Sequence, residues 1–173
     1  SIEETAGRFK INADETGRII QEAKNKLLEA RSRRKRPHLD DKILTDWNGL
    51  MISAFAFASQ VLDDNRYTHA ARRAADFILE KLIDRNGRLL HRYRDGESGI
   101  PGTLEDYAFF SLGLLDLYEA TFDVKYFKQA RVLTDAMVDL FWDAKTGGFF
   151  LTGNDAETLI VRSKEIYDGA LPS

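Results

Sequence analysis

The chain contains no cysteine, and that one absence removes disulfide frameworks, thiolate nucleophiles and cysteine-built zinc sites together. It fits a reducing cytoplasm, the compartment expected for this chain. Only three prolines interrupt 173 residues, and no glycine- or serine-rich linker divides them, so one domain, or part of one, is expected. No apolar run reaches the length of a membrane span, and the first residues, Ser1-Ile2-Glu3-Glu4, are polar and acidic where a signal peptide would be basic and then apolar. No membrane partner is expected. A basic excess is missing as well. The net charge of -3 and the pI of about 5.7 leave no global field to attract nucleic acid. The three histidines, His38, His69 and His91, stand at no metal-ligand spacing, so neither a metal nor another cofactor is expected.

What the chain does have is an internal repeat. At 43% hydrophobic and 31% charged it is an ordinary globular composition, and a shift of 60 residues brings its pattern back. Asp46 falls on Asp106, Trp47 on Tyr107, Asp63 on Asp123, Ile78 on Val138, Gly87 on Gly147, and Leu89-Leu90 on Phe149-Phe150. Each unit reads as helix, turn, helix, glycine turn, short extended run. The first helices, 46–62 and 106–122, are apolar nearly all round, which predicts burial on every side. The second helices, 66–85 and 124–142, carry one apolar stripe (Tyr67, Ala70, Ala74, Phe77, Ile78 and Leu82 in the first) opposed by charge. Buried helix, surface helix, and again buried, surface is the alternation of a two-layer helical ring. The fold class expected is therefore all-α: part of an (α/α)6 toroid with short strands between its hairpins.

The boundaries follow from the punctuation. A leading helix of outer type spans 14–34, hairpin 1 spans 46–92, hairpin 2 spans 106–152, and 166–173 begins a third. Asp63 and Asp123 stand where the outer helices need N-caps, and Thr103-x-x-Asp106 resembles a capping box. Asn86-Gly87 and Thr146-Gly147 close the hairpins in turns that need positive φ. The extended runs fall at 89–93 and 149–152. At this period six hairpins need roughly 360 residues, so the chain is expected to be a truncated ring, inactive alone, that self-associates through uncovered inner helices.

Several stretches carry a family resemblance: Lys35-Arg36-Pro37-His38-Leu39-Asp40-Asp41-Lys42, Thr45-Asp46-Trp47-Asn48-Gly49-Leu50-Met51, Leu104-Glu105-Asp106-Tyr107-Ala108, Gly147-Gly148-Phe149-Phe150 and Tyr167-Asp168-Gly169-Ala170-Leu171-Pro172-Ser173. Together they resemble the large proteins with an N-terminal thioredoxin-like domain and a C-terminal six-hairpin domain, the group that includes spermatogenesis-associated protein 20. The resemblance implies a helical domain allied to the six-hairpin glycosidases and N-acylglucosamine 2-epimerase-like toroids, with the thioredoxin-like domain upstream. The epimerase relatives place their acid/base histidines mainly in later hairpins, so none is carried over to His38, His69 or His91.

In a toroid one end of the inner helices faces a central cavity. The pairs at the inner-helix starts are thus the candidate site: Asp46, Glu105 and Asp106 as catalytic carboxylates, with Trp47, Asn48, Tyr107, His38 and Asp168 contacting substrate. Aromatic rings stack on the C–H faces of a sugar while carboxylates take its hydroxyls and protons. Glycoside hydrolysis needs two carboxyls about 5–9.5 Å apart, a role open to Glu105 with Asp46. Against this, an Asp at a helix start is usually a cap, and capping is the preferred account of Asp46 and Asp106; for Glu105 both accounts stand. His38 is better read as ordering its loop, His69 as solvated, and His91 in the run to Asp95 as part of a solvated turn, with anion binding at a cavity rim as its functional alternative. The basic run from Arg31 to Arg36 sits at a helix C-terminus, which the dipole favours. Two functions stay open: a carbohydrate-active toroid of epimerase or glycosidase type, or a non-catalytic ring that binds a partner or supports a thioredoxin-like domain.

Overall fold

A computed structural model describes residues 1–157, 159–165, 167, 169 and 172. The chain divides into two compact units, Ser1–Asp40 and Asp41–Ser173. In the first, α1 (Ile2–Phe9) starts at a capping box in which Ser1 and Glu4 exchange bonds, and it ends at Lys10 in the left-handed conformation. A second helix, α2 (Ala13–Ser32), is capped by Asn12, whose side chain accepts the Glu15 N–H at 2.6 Å. The helix expected over 14–34 is α2. The preceding α1 was not anticipated, although Ser1-x-x-Glu4 is itself a capping-box signature.

The second unit holds the two hairpins. Hairpin 1 is α3 (Thr45–Leu62) and α4 (Asn65–Lys81), and hairpin 2 is α5 (Leu104–Thr121) and α6 (Val124–Phe141). Between them lies an antiparallel sheet, β1 (Ile43–Leu44), β2 (Leu90–Arg94) and β3 (Glu97–Pro101), in that order. Tyr93 sits opposite Ile43 and Ser98. Asp95-Gly96 joins β2 to β3 with φ of 53° and 85°, the two positive-φ residues that a tight right-twisting hairpin needs. Strand β3 is polar and carries Gly99, so it has no alternation to betray it. At 149–152 the expected strand reduces to one bridge, Trp142 opposite Phe149.

The inner helices lie side by side and parallel. Asp46 at the start of α3 meets Asp106 at the start of α5, and half-way along, the Ser53 hydroxyl bonds the Asp116 carboxylate. Two glycines permit the approach. A Cβ on Gly49 would lie 2.5 Å from the Phe109 carbonyl carbon, and one on Gly113 would lie 2.5 Å from the Gly49 oxygen. Backbone against backbone leaves no flexible side chain to yield. Gly49→Ala and Gly113→Ala are each expected to lower stability by about 1–3 kcal/mol through overpacking. Gly17→Ala, on α2 with nothing within 4 Å, is expected to gain up to about 1 kcal/mol of helix propensity. Urea unfolding of the three variants decides, and a harmless Gly49→Ala would refute the close crossing.

Outer helices α4 and α6 each bury one stripe, Ala71, Ala75 and Ile78 in α4 and Tyr126, Ala130, Leu133 and Phe141 in α6. Helix α5 is buried along most of its length, from Asp106 and Tyr107 through Phe110 and Leu114 to Leu117. Helix α3 departs from the expectation. Ile52 and Ala56 join the core, but Trp47, Met51, Phe57 and Val61 are exposed. A helix apolar all round needs neighbours all round, and within this unit α3 packs chiefly on α4 and α5.

The caps shift the repeat by one residue. Asp63 is not an N-cap: it closes α3 in the left-handed conformation (φ 49°), as Phe122 closes α5 (φ 54°), and Asp64 caps α4 where Asp123 caps α6. Counted from these caps the helices repeat every 59 residues (122 minus 63). The structural counterpart of Asp46 is therefore Glu105, not Asp106: each is the second residue of its helix. The expected equivalence of Asp46-Trp47 with Asp106-Tyr107 is corrected accordingly. The glycine turns behave as expected, with Gly87 at φ 81° and Gly147 at 76°.

Candidate functional site

Three side chains converge where α3, β2 and α5 meet. Strand β2 is held against the start of α3 by the Thr45 hydroxyl, which donates to the Leu90 carbonyl at 2.6 Å. That contact brings the next residue, His91, over the first turn of α5. One ligand atom each from Asp46, His91 and Asp106 lie within 4.8 Å of one another.

Asp106 is fully buried and saturated. Its Oδ1 accepts the Asp46 backbone N–H at 3.0 Å and faces His91 Nδ1 at 3.0 Å, while Oδ2 accepts the Thr103 N–H at 2.7 Å and the Thr103 hydroxyl at 3.1 Å. The capping expected of Asp106 is thus present as the third-residue half of a capping box, and the same carboxylate also ties two hairpins and a strand together. A substrate or cation would find no lone pair there without displacing one of these donors. The donor set fits an imidazole oriented by a carboxylate better than it fits a metal cage.

Asp46 does not cap its helix, because Leu44 occupies that position. The preferred capping account of Asp46 holds only in part: the helix begins one residue earlier, at Thr45, yet the carboxylate still takes one of the free first-turn N–H groups. Its Oδ1 accepts the Trp47 N–H at 2.7 Å, and its Oδ2 has no hydrogen bond among the described residues. Burial is the main force pushing the Asp46 carboxyl above the usual carboxylate range. The Asp106 charge adds to this, while the Trp47 N–H and His91 oppose it. Glu105, half-buried, is pushed up by the same two causes: first burial, then the neighbouring carboxylates of Asp46, Asp106 and Glu165. Two carboxyls at equivalent helix positions therefore hold protons to higher pH than free carboxyls do.

The sign of this effect gives a test. A carboxyl whose folded pKa is raised favours the fold while protonated, and this contribution is lost as pH rises through the folded value. Glu105→Gln removes the penalty. We expect the Glu105→Gln chain to melt at or above the parent at about pH 8, with the difference vanishing by about pH 3, where both states are protonated. A variant less stable than the parent at every pH would show that Glu105 is held as a structural cap.

Of the other expected residues, Trp47 projects from α3 with 59% exposure, so its ring is available beside Asp46. Asn48 is spent locally, donating to the Leu44 carbonyl at 2.7 Å. Tyr107 is corrected from a ligand platform to core: it is fully buried, and its hydroxyl accepts Arg88 Nη1 at 2.7 Å and the Leu89 N–H at 2.9 Å. His38 belongs to the N-terminal unit, where it lines a basic cleft, and His69 is exposed on α4. Asp168 lies outside the described residues. His91 is the residue sequence reasoning missed. It is half-buried on Asp106 rather than in a solvated turn, and the alternation of β2 was the available signal, since it sets His91 and Tyr93 on the same side.

No protein-family model matches the chain. Spermatogenesis-associated protein 20 of Homo sapiens is 38% identical over 183 aligned residues that take in the whole chain. The Rattus norvegicus protein of the same name is 37% identical, and an uncharacterised protein of Caenorhabditis elegans is 35% identical over 99% of the chain. The chain spans about a quarter of the length of these curated relatives (23% of the human protein). Among solved structures, a GH76 α-mannanase of Bacteroides thetaiotaomicron superposes with a TM-score of 0.60 at 21% identity, over 68% of this chain and 33% of that one. A cellobiose 2-epimerase of Spirochaeta thermophila gives 0.57 at 18% identity, over 64% and 28%. A D-mannose isomerase gives 0.58 at 21%, over 63% and 30%. At these identities the likeness is one of fold. Among the described residues no helix is long and apolar enough to cross a membrane.

Proposed function

For a chain related along its whole length to a segment of spermatogenesis-associated protein 20, and built from the helical hairpins of the α/α toroids, we propose one wall of a sugar site that does acid/base chemistry in the full-length protein. The observation that supports it is the cluster at the inner-helix starts: His91 oriented by a buried carboxylate, beside two carboxyls pushed above their usual range. A carboxylate on Nδ1 fixes the tautomer and leaves Nε2 as the working nitrogen. Glu105 and Asp46, raised by burial and by neighbouring carboxylates, hold a proton to higher pH than free carboxyls do, the property that suits general acids. The exposed Trp47 ring supplies a face for sugar C–H groups. Three carboxyls against one imidazole favour a neutral sugar over an anionic one. The reaction class is proton transfer, either next to a carbonyl as in epimerisation or at a glycosidic oxygen.

The saturation of Asp106 and the burial of Tyr107 favour a second reading, in which these groups only fasten a non-catalytic ring that supports a thioredoxin-like domain. A thermal-shift screen of neutral sugars and sugar phosphates on the full-length protein separates the two. A neutral sugar that raises the melting temperature of the parent, but not of the truncated variants Asp46→Ala or Glu105→Ala, supports the sugar site. A screen in which no sugar shifts the parent sinks it.

A further inference from the structure

The N-terminal unit carries a second feature that the sugar site does not use. Leu28, Arg31, Arg34, Lys35, Arg36 and His38 border a cleft of about 670 Å³ at the end of α2. This lies within the range of small-molecule sites, about 300–1,000 Å³. Among the described residues, Arg31, Arg34, Lys35 and Arg36 form no side-chain hydrogen bond and no ion pair. Nearby Arg33 pairs with Glu29, and in the other unit Arg66, Arg88 and Arg94 pair with Asp64, Asp155 and Asp41. The helix dipole accounts for one of the four. Arg31 lies in the last turn of α2, whereas Arg34, Lys35 and Arg36 lie beyond the Arg33 cap, where the dipole's pull has fallen off. Three consecutive cations without an acid repel one another, and an anion seated among them removes that repulsion.

We propose that this cleft binds a compact anion carrying two phosphate groups. Guanidinium forks match phosphate oxygens two at a time, and four cations exceed the charge of about −2 that one phosphate group carries, so two linked phosphates match them better. Leu28 gives the floor an apolar part. A polynucleotide fits less well: no Phe, Tyr or Trp borders the cleft, which leaves the His38 imidazole as its one aromatic ring for stacking a base, and the chain as a whole is acidic at -3. The proposal rests on nothing at the Asp46–His91–Asp106 cluster.

The test is calorimetric titration of the chain with inorganic pyrophosphate at low ionic strength, where exposed charges are least screened. Pyrophosphate is expected to bind at least about tenfold more tightly than orthophosphate, and Arg34→Gln with Arg36→Gln to weaken it at least about tenfold, the scale of one charge-assisted hydrogen bond. Arg33→Gln, whose native partner is Glu29, is expected to leave binding unchanged. All three side chains are exposed, so an unaltered melting temperature verifies that the variants fold. Equal affinity for the two anions would reduce the cleft to counterion attraction and overturn the proposal. So would binding indifferent to the double variant, or a single-stranded oligonucleotide that displaces pyrophosphate.

Discussion

Asp106→Ala is expected to destabilise the Asp41–Ser173 unit by about 3–5 kcal/mol, the cost of removing one partner from a buried charged network. The carboxylate is fully buried and is the common acceptor of the Asp46 N–H, the Thr103 N–H, the Thr103 hydroxyl and His91 Nδ1. Removing it leaves donors on three elements without an acceptor, and each unmet buried donor costs about 1–3 kcal/mol. Partial exposure of His91 lets water recover part of that loss, which keeps the total below the sum. Asp106→Asn is expected to fall between alanine and the parent, because one amide oxygen can serve only half of these donors. The control is Asp123→Ala, an N-cap that accepts the Lys125 N–H and makes a part-exposed ion pair with Arg72, expected to cost about 0.5–2 kcal/mol. Urea unfolding of the three variants measures the difference. If Asp106→Ala cost no more than Asp123→Ala, the picture of one carboxylate pinning two hairpins and a strand would be wrong.

That pin shows what could be read in the sequence and what could not. The hairpins were legible because burial imposes a period: the wet faces of α4 and α6 and the glycine turns at Gly87 and Gly147 leave direct marks. The register between inner helices was not. A shift of 60 aligned aspartates, whereas the cap geometry at Asp63 and Phe122 makes the helices repeat at 59 and makes Glu105 the counterpart of Asp46. One residue in a loop changes no composition or periodicity, yet it decides which carboxyls are equivalent. The exposed face of α3 was illegible for a related reason, since Trp47, Met51 and Phe57 advertise burial without naming what buries them. His91 was noticed but misread as part of a solvated turn, because its role lies in a partner 15 residues away, reached only when β2 docks on the start of α3. Tyr107 shows the converse. An aromatic beside an acid at a helix start looked like a platform, but Arg88, 19 residues earlier and just before β2, bonds its hydroxyl within the core.

The largest functional effect is expected at Glu105 and His91 in the full-length protein. On whichever neutral sugar the thermal-shift screen identifies, Glu105→Gln and His91→Gln should each lower kcat by about 10²–10⁴-fold, the usual contribution of a positioned proton-transfer group. KM should change far less, because glutamine keeps the hydrogen-bonding shape while losing the ability to move a proton. Asp106→Asn tests positioning rather than proton transfer. It alters the partner of Nδ1 without touching Nε2, so it should lower kcat by less than His91→Gln does while leaving KM nearly unchanged. On the proposed reading two hairpins make one wall of the site and further hairpins the opposing one, so the 173-residue chain assayed alone should show no turnover. The combination is discriminating. Full-length Glu105→Gln with kcat within about threefold of the parent would remove the carboxyl from the chemistry. Turnover by the isolated chain, abolished by the same substitution, would show instead that the complete site lies within α3, β2 and α5.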